Sequence, residues 1–123
     1  EYTAIKQLKL KSQRLSELIG EDAEVTLREL GQQEYLDLAT LGLDEDGNAI
    51  MEKAYDTNAK VVAAALVEPD VKSKELLEHL GVPTPSEAVK VLFRGETRIL
   101  ADKVGYLCGY GEEAESKIEE IKN

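Results

Sequence analysis

The sequence predicts an α+β fold, mainly α-helical, in which a small two-stranded β-pair near the N-terminus packs on a bundle of short helices. Three observations predict it. Two segments within the first 30 residues alternate apolar and polar side chains with a period of two, the pattern of half-buried strands. The remainder is punctuated by helix caps and stop glycines. The apolar content is aliphatic: hydrophobic residues are 42% of the 123, yet aromatics are only 5%, with no Trp and one Phe. One domain is expected over 1–123 at this length, with 1–30 as the β-pair region and 31–123 as the helical region.

The first strand is read at residues 7–12, where Leu8 and Leu10 point one way and Lys9 and Lys11 the other. A rival helix from Thr3 through Ile5, Leu8, Leu15, Leu18 and Ile19 strands Leu10 on the wrong face and draws Lys11 and Ser12 into the stripe. Ser16–Ile19 then makes a short helical turn stopped by Gly20. In residues 23–28, Ala23, Val25 and Leu27 alternate inward, which makes this segment the partner strand. Two strands alone are barely stable in water, so helices must cover one face.

Gly31–Leu41 is helical, with Tyr35, Leu38 and Ala39 on one face. Residues 42–56 read as a mobile loop containing the Asp46-Gly47 turn. Asp44, Asp46 and Asn48 alternate as calcium ligands do. The sixth and twelfth places hold Ala49 and Tyr55, where such a loop needs Gly and Glu. An acidic turn is the better account.

Asp56 or Thr57 is placed to cap a helix carrying Val61, Val62, Ala65 and Leu66, with Pro69 as its end. Ser73 caps a short helix bearing Leu76, Leu77 and Leu80, and Gly81 stops it. Thr84-Pro85-Ser86-Glu87 is a capping box with Pro at the first helical position. Its helix buries Ala88, Val89, Leu92 and Phe93 and breaks at Arg94-Gly95. From Glu96 a longer helix aligns Leu100, Val104, Leu107 and Cys108, and Gly109 and Gly111 end it. Ala114, Ile118 and Ile121 stripe a terminal acidic helix.

Charge narrows the function. With 25 acidic and 15 basic residues the formal net charge is −10, a poor match to nucleic acid, whose phosphates need a basic face. Lys6, Lys9, Lys11 and Arg14 form the one basic cluster, read as a solvated face. The longest apolar run, Val61–Val67, is far shorter than the roughly 20 residues that span a bilayer. No signal peptide is visible, though the chain starts at Glu1. A single cysteine cannot form an internal disulfide, so a soluble cytoplasmic protein is expected.

Catalytic constellations are not evident. His79, the one histidine, lies in the last turn of a short helix, where its charge suits the helix dipole. Cys108 sits on an apolar stripe, the place of an inert buried thiol. One His and one Cys do not make a zinc site. Gly105, Gly109 and Gly111 follow a helix, whereas phosphate-cradling glycines follow a strand and open one. No enzyme activity, cofactor or metal is expected.

The second half carries a resemblance. Glu68-Pro69-Asp70, the run Ser73–Gly81 and the run Pro83–Val89 are similar to the phage tail assembly chaperones of the XkdN-like family. So are Leu92, Gly95-Glu96, Leu100–Val104, Leu107, Gly109-Tyr110 and Ile121-Lys122-Asn123. Upstream, Arg14–Asp22 and Val25–Leu30 are similar too. Two departures stand out: Thr97 replaces the usual aliphatic residue after Gly-Glu, and Arg94 replaces a Pro or small residue before that Gly.

The resemblance implies a non-enzymatic assembly factor encoded by a phage or prophage. It would bind the tape measure protein, assist polymerisation of the tail tube around it, work in the host cytoplasm and leave before the virion is complete. It also implies tail tube protein as a second partner, reached through a frameshift-extended form of which a chain ending at Asn123 would be the short version. A homo-oligomer is compatible with all this. Apolar stripes are the expected contacts, by helix-in-groove binding: Ile118 and Ile121 first, then Val61, Val62 and Leu66. The other classes left open are a structural tail or head-completion protein kept in the virion, and an acidic DNA-mimic or antitoxin-like protein.

Overall fold

In the computed structural model, which describes residues 6–110, the two alternating segments pair as antiparallel strands β1 (Gln7–Lys11) and β2 (Glu24–Arg28). Leu8 faces Leu27 and Leu10 faces Val25, so the period-two pattern sets the register and puts the apolar rows on one face. The helix between them, α1 (Gln13–Ile19), begins earlier than the sequence suggests because Ser12 caps it. The Ser12 hydroxyl accepts from the Leu15 N–H at 3.0 Å. Gly20, at φ 79°, ends it in the left-handed conformation.

The β-pair is in fact a three-stranded antiparallel sheet in the order β1-β2-β3, with β3 at Leu66–Glu68. Leu27 pairs with Leu66 and Thr26 with Glu68, with an irregular register between them. The central strand is therefore β2, which explains why Val25, Thr26 and Leu27 are all buried.

Between the second and third strands the chain builds two helices. The first, α2 (Gln32–Ala39), ends in a 3-10 turn at Thr40–Gly42. The acidic turn follows, closed at its base by a bridge between Leu43 and Ala49. Asp44 Oδ1 accepts from the N–H groups of Asp46 and Asn48, both at 2.9 Å. Its carboxylate thus serves the backbone of its own turn.

The 42–56 segment is not a loop throughout, because α3 spans Met51–Ala65. Neither Asp56 nor Thr57 is its cap; Ile50 holds that place without a side-chain bond. The helix also stops short of Pro69. Arg28 Nη2 donates to the Ala64 carbonyl at 3.0 Å, satisfying one acceptor of the last turn. Leu66 then adopts extended geometry and enters the sheet. A helix continued through Pro69 would lose a backbone N–H and drive the ring into the Ala65 carbonyl, and the proline favours extended backbone at Glu68.

The remaining helices start where their caps indicate. Ser73 Oγ accepts from the Leu76 N–H at 3.3 Å and opens α4 (Lys74–Leu80), which Gly81 ends at φ 72°. Thr84 Oγ1 accepts from the Glu87 N–H at 3.3 Å and opens α5 (Pro85–Phe93). The chain turns at Arg94-Gly95 into α6 (Glu96–Leu107).

The core lies where α3, α5 and α6 meet the inner face of the sheet. Phe93, Leu27, Val25, Val62, Val71, Val89 and Val104 are its largest fully buried apolar side chains. Glu96 ties its two ends together. Its carboxylate accepts from the Ser12 hydroxyl at 2.6 Å and from the Arg14 N–H at 3.1 Å, so an acid at the start of α6 completes the N-terminus of α1. Beside it Thr97 is fully buried, and its hydroxyl has no partner among the described residues.

Candidate partner-binding surface

Three of the apolar residues proposed from sequence as contacts are core. Val61, Val62 and Leu66 are 4%, 0% and 5% exposed. The first two lie on the half of α3 that packs inward, and Leu66 is drawn into the sheet. A partner could not reach them without opening the fold. Ile118 and Ile121 lie outside the described residues.

The reactive residues are placed structurally. His79 is in the last turn of α4, next to Gly81. Cys108 is half-buried beside Leu30, whose N–H approaches the sulfur at 3.4 Å and whose carbonyl lies 3.7 Å from it. Burial is the main cause that pushes the thiol's pKa up, which disfavours the nucleophilic thiolate. In the basic cluster, Lys11 meets Asp22 at 3.3 Å and Arg14 meets Glu17 at 3.8 Å. Among the described residues no group of three or more His, Cys, Asp or Glu could hold a metal ion, and no helix is long and apolar enough to cross a membrane.

The outward half of α3 presents what sequence reasoning missed. Here the apolar side chains are exposed, Met51 at 86% and Tyr55 at 46%. Ala54 and Tyr55 of α3, with Val91 of α5 (39% exposed), make the apolar wall of a groove of about 670 Å3. Lys90, Arg94 and Arg98 edge it. Lys90 is already neutralised, bonding Asp56 at 2.9 Å and Glu87 at 3.3 Å, and its ammonium stands 5.4 Å from the centre of the Tyr55 ring. These bonds, the one to Asp56 first, raise the Lys90 pKa. The bonds from Lys90 and then Lys60 lower that of Asp56.

Arg94 and Arg98 are exposed, and neither is paired with a carboxylate among the described residues. Arg94 also holds φ 48°, the one positive φ outside glycine among the described residues. Such backbone costs a side-chain-bearing residue of order 1 kcal/mol or more. The sequence signal was available: Met51 with Tyr55 and Arg94 with Arg98 each recur at a spacing of four. Ile50 offers no capping side chain, so the sequence pattern alone does not place residues 51–56 in a helix.

A second cleft, of about 430 Å3, lies across α3, between α2 and α6. Tyr35 stacks on Tyr110 there, ring centres 5.0 Å apart. Burial is the main cause that raises the Tyr35 pKa. A Cβ at Gly105 of α6 would lie 3.1 Å from the Tyr35 hydroxyl, a close approach that the end of the Tyr35 side chain would have to relieve by a few tenths of an ångström. This cleft is a packing seam between helices, not a collection of reactive groups.

The groove edged by Lys90, Arg94 and Arg98 and the cleft at Tyr35 are thus two concave regions of the described surface. No curated protein matches the sequence. In fold the chain is similar to the crystal structure of the protein YqbN, with a TM-score of 0.60 at 18% identity, covering 88% of this chain and 90% of that one. The family model of the phage XkdN-like tail assembly chaperone proteins matches residues 2–122. The match takes in both the sheet and the helices that frame the groove, and the chain belongs to the XkdN-like family of phage tail assembly chaperones.

Proposed function

We propose that this chain binds the tape measure protein of its phage, without catalysis of its own, and assists polymerisation of the tail tube around it. The observation that carries the reading is the family membership. The exposed apolar groove against α3 and α5 supports it, since a chaperone for helical segments needs an accessible apolar surface. The net charge of −10 would keep a loaded complex soluble and discourage contact with nucleic acid. On this reading the protein acts in the host cytoplasm and leaves before the virion is finished. A frameshift-extended form would bring in tail tube protein.

Co-expression with the tape measure protein of the same phage tests this. The expected result is a shift of that protein from the insoluble to the soluble fraction. Finding the chaperone in purified virions would favour a structural tail protein instead. The same readout examines Ile118 and Ile121: replacing both with Asp weakens the complex if they are partner contacts.

A further inference from the structure

We infer that the groove between α3, α5 and the start of α6 docks an amphipathic helix of the partner that carries carboxylates beside its apolar row. This rests on the chaperone reading above and deepens it, by naming the place and the chemistry of recognition.

Four observations point to this occupant. The groove wall is apolar and exposed at Tyr55 and Val91, and Met51, outside the groove and one turn before Tyr55 on α3, is exposed as well. Its walls are helices, which present side-chain rows but no open backbone edge, so an added strand would find no hydrogen-bond partners there. In a chain with a net charge of −10, the groove edge carries Arg94 and Arg98 without carboxylate partners among the described residues, while Asp56 and Glu87 are both taken up by Lys90. Finally, an arginine occupies a positive-φ position that glycine would hold without strain.

Arg94, in the turn after α5, and Arg98, in the first turn of α6, both line the groove, and each guanidinium can form a two-pronged pair with a carboxylate of a facing helix. Nucleic acid fits poorly, because the rest of the molecule repels phosphate. A second copy is disfavoured by the repulsion of two chains of the same large charge.

The test uses the full chain and two synthetic helical peptides of about 15 residues, four turns long. Both carry the same leucine row; one is flanked by Glu and the other by Lys. The Glu peptide should bind at least about tenfold more tightly, as expected when a charged hydrogen bond is gained. Its amide shift changes should centre on Tyr55 and Val91. The double variant Arg94→Glu, Arg98→Glu should reverse the preference. Arg94→Gly should bind the Glu peptide less well yet unfold no more easily, because it relieves the positive φ.

Equal affinity for the two peptides would overturn the proposal. So would shifts centred on Tyr35 and Tyr106, tighter binding by a peptide of residues 111–123, or a dimer that blocks the groove. If the double variant still solubilises the tape measure protein, the groove assignment fails while the chaperone reading stands. If the wild type fails to solubilise it, the reading itself fails, whatever the peptides do.

Discussion

The two halves of α3 have similar propensities and opposite fates. Beyond Asn58 the helix buries Ala59, Val61, Val62, Ala63 and Ala65. Before it, Met51, Ala54 and Tyr55 face solvent. The difference comes from neighbours rather than residue type. The sheet, α5 and α6 close around the second half, whereas α5 and α6 stand beside the first half and leave a groove. A stripe of aliphatic residues at helical spacing is therefore the wrong place to seek a contact surface here. The exposed Met51 and Tyr55 mark the proposed surface instead.

That comparison can be broken most sharply by charge. Val62→Asp should destabilise the fold by about 4 kcal/mol, the range for an unpaired charge forced into a core. A small shift in the urea midpoint would show the second half to be as open as the first. Thr97→Val should act in the opposite direction, raising stability by about 1 kcal/mol by removing an unpartnered hydroxyl at nearly constant volume. A drop in the midpoint would mean that the hydroxyl is satisfied.

Tyr55→Ala, on the exposed half, should move stability by only about 0.5 kcal/mol, as surface changes do, while weakening partner binding. A large loss of stability without loss of binding would make that half structural. The smallest effect is expected at Asp56, which joins α3 to α5 through Lys90. Because its pKa is lowered in the fold, its contribution is complete above the ordinary carboxylate range. It is lost as pH falls through the lowered value. Unfolding midpoints of wild type and Asp56→Asn should therefore converge towards acid pH, and curves that stay parallel would exclude this tie. The side chain is 44% exposed, so solvent keeps the difference small.

Much of the fold was legible because its signals are local. The alternation of Leu8 and Leu10 against Val25 and Leu27 encodes a register, and Ser73, Gly81 and Thr84 encode helix ends through bonds within a few residues. β3 was not legible. Leu66–Glu68 overlaps the end of an apolar run in which helix and strand look alike, and only pairing with β2 decides the matter. The start of α3 was missed for a related reason. Ile50 offers no capping side chain, whereas Asp56-Thr57 imitates a cap six residues later. The groove was hidden with it, since it exists only once three helices distant in sequence are brought together. The departure at Thr97 was visible in the sequence, but its unpartnered burial was not.

The bond from Ser12 to Glu96 spans 84 positions of the chain, and this has a consequence for how the molecule breathes. A hydroxyl that caps α1 also donates to the first residue of α6, so neither helix start can fray alone. Loss of that bond is expected to loosen both starts, so exchange of the Arg14 and Leu15 amide protons should track that of the first turn of α6. The β1-α1-β2 segment is thus tied to α6 by a contact distant in sequence, and the two are expected to open together. A helix seated against Arg98 would slow exchange not only beneath it but also at α1, on the far side of Glu96.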